Sequence, residues 1–306
     1  MLGYALRRLA GILPTLLVIV TISFFVIRLA PGGPFDAEQP LPPQIRANLE
    51  AAYGLDQPWL VQYGRYVKGL LRGDFGPSLK LRDIPVSELI ARGMPISLTV
   101  GVSAIALAMV LGTGLGVLGA LRQSSALDRS TTILAVLAMA LPSFVVGPFL
   151  ALVFGLRLHW LPVAGWQLNL RHLVLPVVTL ALPVGAYVAR LTRGSLLEVL
   201  RADFIRTARA KGLPESQVIL RHALRPALLP VVSYLGPASA AVLTGSLVVE
   251  TVFALPGTGR YLVEGAINRD YTLVMGMVIL YGAFTLLCNL TADLLHGWLD
   301  PRVRHD

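Results

Sequence analysis

The sequence predicts an all-α integral membrane protein with six transmembrane helices. Hydrophobic residues make up 55% of the chain and charged residues 14%, whereas a soluble domain is roughly a quarter charged. Mean hydropathy is +0.69. Six apolar runs approach the roughly 20 residues that a spanning helix needs, and they cover residues 9–29, 96–121, 131–156, 173–191, 227–249 and 273–295. Runs of this length favour helices over a β-barrel, whose strands are short and alternate in polarity.

The apolar runs divide the chain into four regions. They are a first transmembrane helix at 1–30, an external segment at 31–95, a five-helix core at 96–296 that includes a charged loop at 195–225, and a tail at 297–306. The first run is longer than the apolar part of a signal peptide, and no cleavage site of small residues follows it, so we expect it to remain as a helix. In the external segment, Pro42 and Pro43 open one short amphipathic helix and Pro58 opens another.

The distribution of charge predicts the orientation of the chain. The net charge is +9. Residues 190–225 carry eight Lys or Arg against three acids, whereas residues 31–95 carry seven of each sign. Basic loops of membrane proteins face the cytoplasm, so the loop 195–225 and both termini are predicted to be cytoplasmic. Orientation accounts for the charge, and no nucleic-acid partner is expected.

The charged loop is predicted to form a helical hairpin. An apolar stripe is predicted along one face of its first half, made of Leu197, Leu200, Phe204 and Ala208. Gly212 follows where a helix commonly ends on a left-handed residue, and Pro214 follows where a first-turn proline is tolerated. Such a hairpin between two spans presents a surface outside the bilayer. A solvated loop without a partner is the alternative.

Several motifs carry a family resemblance. The segment RTARAKGLP at 206–214, followed by Leu224 and Pro226, resembles the coupling loop of bacterial ABC importer permeases. Arg206 and Thr207 replace the Glu and first Ala of the family signature, as they do in its peptide-importer branch. Further motifs, in the expected order, resemble the first permease subunit of bacterial oligopeptide ABC importers over essentially the whole chain: TISFFVIRLAPGGPF, GDFGPS, ILRHALRPALLPV, GSLVVETVFALPGTGR and NRDY.

The resemblance implies a type I ABC importer permease fold in the bacterial inner membrane. It also implies four kinds of partner: a homologous second permease subunit, two ABC ATPase subunits, a peptide-binding protein and the peptide cargo. The ATPase coupling residues would be Phe204, Arg206, Thr207, Ala208, Ala210, Lys211 and Gly212. ATP and Mg would be bound by the ATPase subunits, and no cofactor is expected in this chain.

The sequence predicts that the chain is not itself an enzyme. No Lys follows a Gly, so the phosphate-binding GxxxxGK[ST] loop is absent, and the sequence contains neither HExxH nor GxSxG. The single cysteine, Cys288, permits neither an intramolecular disulfide nor a cysteine metal site. A GxGxxG pattern at 114–119 lies within an apolar run, where Gly112 and Gly116 instead indicate close helix packing.

Four polar residues in the last two spans are candidates for the gate or the transport pathway: Ser246, Glu250, Asn289 and Asp293. An ionisable side chain at membrane depth is a functional candidate by default. Glu250 is predicted near the outer end of its span and Asp293 near the inner end of the last, which favours a structural or gating role. The spans contain no charge at mid-depth, so little selectivity for cargo side chains is expected.

Two alternatives remain open. The same machine could carry a dipeptide, a nickel chelate, glutathione or an opine, and the ligand of the partner binding protein would separate these. A self-contained channel or secondary carrier is the other class. Such proteins usually show charged sites at mid-depth or inverted repeats, and neither is evident in the sequence.

Overall fold

The computed structural model describes residues 2–35, 42–81, 84–167 and 169–299, and these residues form helices joined by turns and loops. The helices are α1 (Leu2–Leu29), α2 (Pro43–Ala52), α3 (Trp59–Leu70), α4 (Val86–Leu121), α5 (Ala126–Ala140), α6 (Ser143–Leu150), α7 (Leu170–Val199), α8 (Asp203–Ala210), α9 (Glu215–Gln217), α10 (Leu224–Ala227), α11 (Leu229–Ser233), α12 (Leu235–Val252), α13 (Thr258–Ile267) and α14 (Tyr271–Leu299). Two π-helical turns, Ala151–Arg157 and Val218–Ala223, continue α6 and α9. The all-helical prediction is confirmed for the described residues.

Among the described residues, five helices are long and apolar enough to cross a membrane, and a bent pair gives a sixth if it is counted as one span. The five are Leu9–Leu29, Val86–Leu121, Leu170–Val199, Leu235–Val252 and Tyr271–Leu295. The bent pair corresponds to the predicted third run, which is not one straight helix. Its two halves, Ala126–Ala140 and Ser143–Arg157, meet at 105°. The break falls at Leu141 and Pro142, because proline cannot supply the N–H that would continue the helix.

The second and fifth predicted spans also differ from the structure. Helix α4 begins at Val86, ten residues before the predicted second span. The predicted fifth span, 227–249, is divided by interruptions at Leu228 and Tyr234. Pro43 and Pro58 stand at the starts of α2 and α3 as expected.

The described residues divide into two compact units, of which the first is built mainly from Leu98–Leu255. In it, α4 packs closely on α7 through the predicted glycines. A Cβ atom at Gly112 would lie 2.5 Å from the carbonyl oxygen of Gly185, and one at Gly116 would lie 2.5 Å from that of Ala189. Side chains at these positions would therefore push the two helices apart.

The second unit comprises Leu9–Ser97 and Pro256–Phe284. Three of the sequence motifs meet within it. The Tyr271 hydroxyl donates to the carbonyl oxygen of Gly32 at 2.7 Å, and the Ser78 hydroxyl donates to the carboxylate of Asp270. Asp270 also accepts from the backbone N–H of Leu273 at 3.0 Å, in the first turn of α14. Both Ser78 and Asp270 are buried, so this junction is a fixed part of the unit.

Candidate functional site

The predicted hairpin is present, and its turn has the predicted geometry. Helix α7 ends at Val199, a turn follows, and α8 then runs from Asp203 to Ala210. Gly212 has φ +77°, so the expectation of a left-handed residue after the helix is confirmed. Pro214 directly precedes α9 with φ −62°. A Cβ atom at Gly212 would meet no atom within 4 Å, so only the backbone conformation favours glycine there.

The predicted single apolar stripe is wrong, because the chain does not form one helix from Leu197 to Ala208. The turn at residues 200–202 interrupts the helix, so spacing no longer places Leu197 and Leu200 on one face with the residues of α8. Leu197 and Leu200 pack against the hairpin interior, where Ala208 is 6% exposed. Phe204 shares α8 with Ala208 but lies in its first turn, where it is 50% exposed.

Ala208 belongs to an apolar cluster that holds the hairpin against the ends of α4 and α7. Its buried members are Ala120, Leu196, Ile205, Ala208, Val218, Ala223 and Ala227. Leu196 and Ile205 are fully buried. Because core side chains are close-packed, the hairpin is attached firmly to α7. Ala208 was predicted on the docking stripe, and the structure places it in this core instead.

The other predicted coupling residues lie on the outward surface of the hairpin, which we call the coupling surface. It consists of Phe204, Arg206, Thr207, Ala210, Lys211 and Gly212, all of them exposed. Leu220, on the next turn of the hairpin, is 67% exposed. Exposed apolar side chains rimmed by polar ones are typical of a protein interaction site.

An ion pair joins the two halves of the hairpin. Arg209 donates from Nε and Nη2 to the two carboxylate oxygens of Glu215, at 3.1 and 2.6 Å. These hydrogen bonds lower the pKa of the Glu215 carboxyl and raise the pKa of the Arg209 guanidinium. Both side chains are exposed, so the pair orients the turn more than it stabilises the fold.

A second ion pair lies beside the hairpin, and the sequence reasoning missed it. Arg193 on α7 donates to both carboxylate oxygens of Asp128, at 2.5 and 2.8 Å. Asp128 is buried, and one of its oxygens also accepts from the N–H of Ser124 at 2.9 Å. The available signal was the pattern Ser125-x-x-Asp128 ahead of an apolar run, a helix-capping motif. Ser125 does accept from the N–H of Asp128 at 3.2 Å.

Comparison with known families identifies the chain. The family described as "Binding-protein-dependent transport system inner membrane component" matches residues 112–305. A second family, described as the N-terminal part of such a membrane component, matches residues 1–86. The chain belongs to the binding-protein-dependent transport system inner membrane components. With its apolar helices, this transport component is a multi-pass membrane protein.

Individual relatives of this transport component are peptide permeases. It is 50% identical over 306 residues to the "Oligopeptide transport system permease protein OppB" of Escherichia coli strain K12, covering 100% of both chains. It is 41% identical over 304 residues to the "Dipeptide transport system permease protein DppB" of Bacillus subtilis, covering 99% of this chain and 98% of the relative.

Solved structures confirm the importer permease fold of this transport component. An inward-facing structure of the MetNI methionine ABC transporter aligns with a TM-score of 0.57 and 18% identity, covering 69% of this chain and 96% of that chain. An amino acid ABC transporter crystallised with histidines aligns with a TM-score of 0.52, covering 71% and 94% respectively. At these identities, the likeness concerns the fold alone.

The four predicted gate or pathway residues of this transport component differ in their surroundings. Ser246 and Glu250 lie four residues apart on α12 and are 2% and 0% exposed. The Ser246 hydroxyl donates to the carbonyl oxygen of Leu243 in its own helix at 2.8 Å. Asn289 lies against Gly236, where an added Cβ atom would be 2.4 Å from its Oδ1 atom, and Asp293 is partly buried. Their gating or pathway role stays a prediction.

Proposed function

We propose that this chain is the permease subunit of an ATP-driven importer that moves oligopeptides from a binding protein to the cytoplasm. The observation that carries the proposal is the 50% identity to an oligopeptide permease over the full length of both chains. Because the match covers all of both chains, it includes the membrane spans, the coupling hairpin and the second unit. The 41% identity to a dipeptide permease gives dipeptides as the second candidate cargo.

The proposed assembly contains a second, homologous permease, two ABC ATPase subunits and a peptide-binding protein on the outer side. The coupling surface would dock on an ATPase subunit. Phe204 provides an exposed apolar contact, and Arg206 and Lys211 provide positive charge around it. Aromatic side chains surrounded by polar residues are common anchors of protein interfaces.

ATP and Mg would be bound by the ATPase subunits, and this chain would be their non-catalytic partner. Alternating access requires an element that both the ATPase and the pathway can bias between two states. Because the apolar cluster fixes the hairpin to α7, a displacement of the coupling surface would move α7 with it. The hairpin would thereby transmit ATPase closure to the membrane helices.

Both termini are proposed to be cytoplasmic in the bacterial inner membrane, with α2 and α3 outside. The charge asymmetry supports this orientation. In a Cys288→Ser background, a single cysteine replacing the exposed Leu60 of α3 should react with an impermeant thiol reagent added outside intact cells. A cysteine replacing Leu220 on the hairpin should react only after the cells are opened. The reverse pattern would overturn the orientation.

The cargo is tested by growth of an amino-acid auxotroph on a tri- to pentapeptide as its sole source of the required amino acid. Cells with this chain and its partner subunits should grow, and cells that lack only this chain should not. Growth on dipeptides but not on longer peptides would identify dipeptides as the cargo. Unchanged growth on peptides, with lost uptake of nickel or glutathione, would reject the peptide assignment. Peptide uptake that needs no ATPase subunit would indicate a self-contained carrier.

A further inference from the structure

A cavity of about 310 Å³ within the first unit is lined by polar as well as apolar side chains. It lies where α5, α7 and α12 approach one another. Its lining includes Leu141, Pro142, Pro183, Tyr187, Tyr234 and Gly245. We call it the tyrosine cavity.

Two helix interruptions line the tyrosine cavity. Leu141 and Pro142, at the 105° bend, have extended backbone with ψ of 119° and 144°. Tyr234 lies at the junction of α11 and α12. Non-helical backbone at membrane depth is tolerated only where it is buried in protein or lines a water-filled cavity. Leu141 is 48% exposed, so the bend is not buried within this chain alone, and it borders the cavity.

The rings of the two tyrosines are in contact, tilted against each other, in this cavity. Their ring centroids are 4.2 Å apart, with 32° between the ring planes. Both side chains are partly exposed. In the part of the chain that the structure describes, no side chain or backbone group hydrogen-bonds either the Tyr187 or the Tyr234 hydroxyl. A phenolic hydroxyl at membrane depth is costly unless water or cargo provides a partner.

We infer that the tyrosine cavity is a section of the peptide's path, in which the Tyr187 and Tyr234 hydroxyls hydrogen-bond the backbone amides of the cargo. The inference rests on the proposed function. A phenolic hydroxyl both donates and accepts, so it matches the N–H and C=O groups that every peptide shares. The ring faces can pack against varied apolar side chains. The cavity lining contains no ionisable side chain other than the tyrosines, which fits a path that does not select for cargo charge.

A second cavity in the same unit has a lining that differs from that of the tyrosine cavity. It measures about 260 Å³ and is lined by α4, α5 and α7, with Thr131 as the only hydroxyl-bearing residue among small and aliphatic side chains. That surface suits a lipid acyl chain. The tyrosine cavity differs in its paired hydroxyls and its interrupted helices, which suit a polar chain.

The first test uses cysteine labelling of the complete importer in membranes, in a Cys288→Ser background. Tyr187→Cys and Tyr234→Cys should react with a charged methanethiosulfonate reagent, and the modification should abolish peptide uptake. A tetrapeptide cargo present during labelling should slow the reaction. Val248→Cys is the matched control, because Val248 is an exposed residue of α12 outside the cavity lining; it should react slowly and keep its uptake. Unreactive cysteines at 187 and 234, or uptake that survives their modification, would overturn the inference.

The second test isolates the hydroxyls. The double variant Tyr187→Phe/Tyr234→Phe keeps both rings and should lower tetrapeptide uptake about fivefold for each hydrogen bond lost. The coupling surface is unchanged in this variant, so the ATPase subunits of the assembled importer should still be stimulated. Uptake equal to wild type would reject the hydrogen-bonding role. A wild-type importer that takes up no peptide in the same assay would instead defeat the proposed function, so the two failures are distinguishable.

Discussion

Arg193 and Asp128 form a two-point ion pair that joins α7 to the first turn of α5, with donor to acceptor distances of 2.5 and 2.8 Å. Arg193 lies three residues before Leu196, which is buried in the apolar cluster beneath the hairpin. The pair therefore fixes the short loop that precedes α5 to the part of α7 against which the hairpin packs. A planar guanidinium that binds both oxygens of one carboxylate also restricts rotation between the two helices.

Asp128→Asn should lower the apparent melting temperature of the purified protein and weaken ATPase stimulation. The substitution keeps the side-chain shape but leaves Arg193 without its counter-charge. The exchange Asp128→Arg/Arg193→Asp should recover part of the stability. Arg190→Ala is the control, since Arg190 is an exposed cation on the same helix. Equal melting temperatures for wild type and Asp128→Asn would show that the pair does not fix the loop.

Phe204→Ala and Ala208→Trp should have different effects. Phe204→Ala should reduce ATPase stimulation while the melting temperature stays near wild type, because its side chain is half exposed. Ala208→Trp should destabilise the hairpin by about 1–3 kcal/mol, because a large ring is forced into a close-packed core. Thermal unfolding and peptide-stimulated ATP hydrolysis would be measured on the same preparations. If Phe204→Ala couples normally, the coupling surface does not include this ring.

Gly212→Val should impair coupling more than Gly212→Asn. A β-branched residue in the left-handed region costs roughly 1–2 kcal/mol, whereas Asn visits that region routinely. The space around Gly212 is open, so any difference between the variants reflects backbone conformation and not a clash. ATPase stimulation at matched expression levels provides the measurement. Identical stimulation by both variants would mean that the turn conformation is unimportant for docking.

The Arg209–Glu215 pair should stabilise the hairpin at neutral pH and lose its effect in acid. Hydrogen bonds from Arg209 lower the Glu215 pKa in the folded chain. The ion pair therefore stabilises the hairpin at pH values above the unfolded-state pKa of Glu215, about 4.3. This stabilisation is lost as the pH falls through the lower pKa of the folded chain. Amide hydrogen exchange in α8 and α9 should be faster in Glu215→Gln than in wild type at neutral pH and equal below the folded pKa. A difference that persists in acid would exclude the ion pair as its cause.

Asp270→Ala should loosen the second unit. The substitution leaves the buried Ser78 hydroxyl and the N–H of Leu273 without an acceptor, at a cost of about 1–3 kcal/mol for each unsatisfied group. Limited proteolysis between α3 and α4 should then become faster. Ser78→Ala is the milder control, since Asp270 keeps its bond from Leu273. Unchanged cleavage in Asp270→Ala would show that other contacts hold the junction.

The apolar spans, the hairpin turn and the helix contact at Gly112 and Gly116 were predictable from the sequence. Each depends on a local property of the chain: the length of an apolar run, the left-handed conformation at Gly212, or the absence of a Cβ atom where helices approach. The basic loops likewise predict an orientation, because Lys and Arg near the ends of spans are retained on the cytoplasmic side.

Tertiary structure alone separated Phe204 from Ala208 and brought together the pairs Asp128–Arg193 and Tyr187–Tyr234. Phe204 and Ala208 lie four residues apart on the same helix α8, so spacing places them on one face. Packing against α7 and the second half of the hairpin buries Ala208, whereas Phe204, in the first turn of α8, stays 50% exposed. The partners in the ion pair are 65 residues apart in the chain. Helix packing determines which distant side chains meet, because many pairings of the same helices satisfy an apolar pattern equally well until close contacts and polar partners select one.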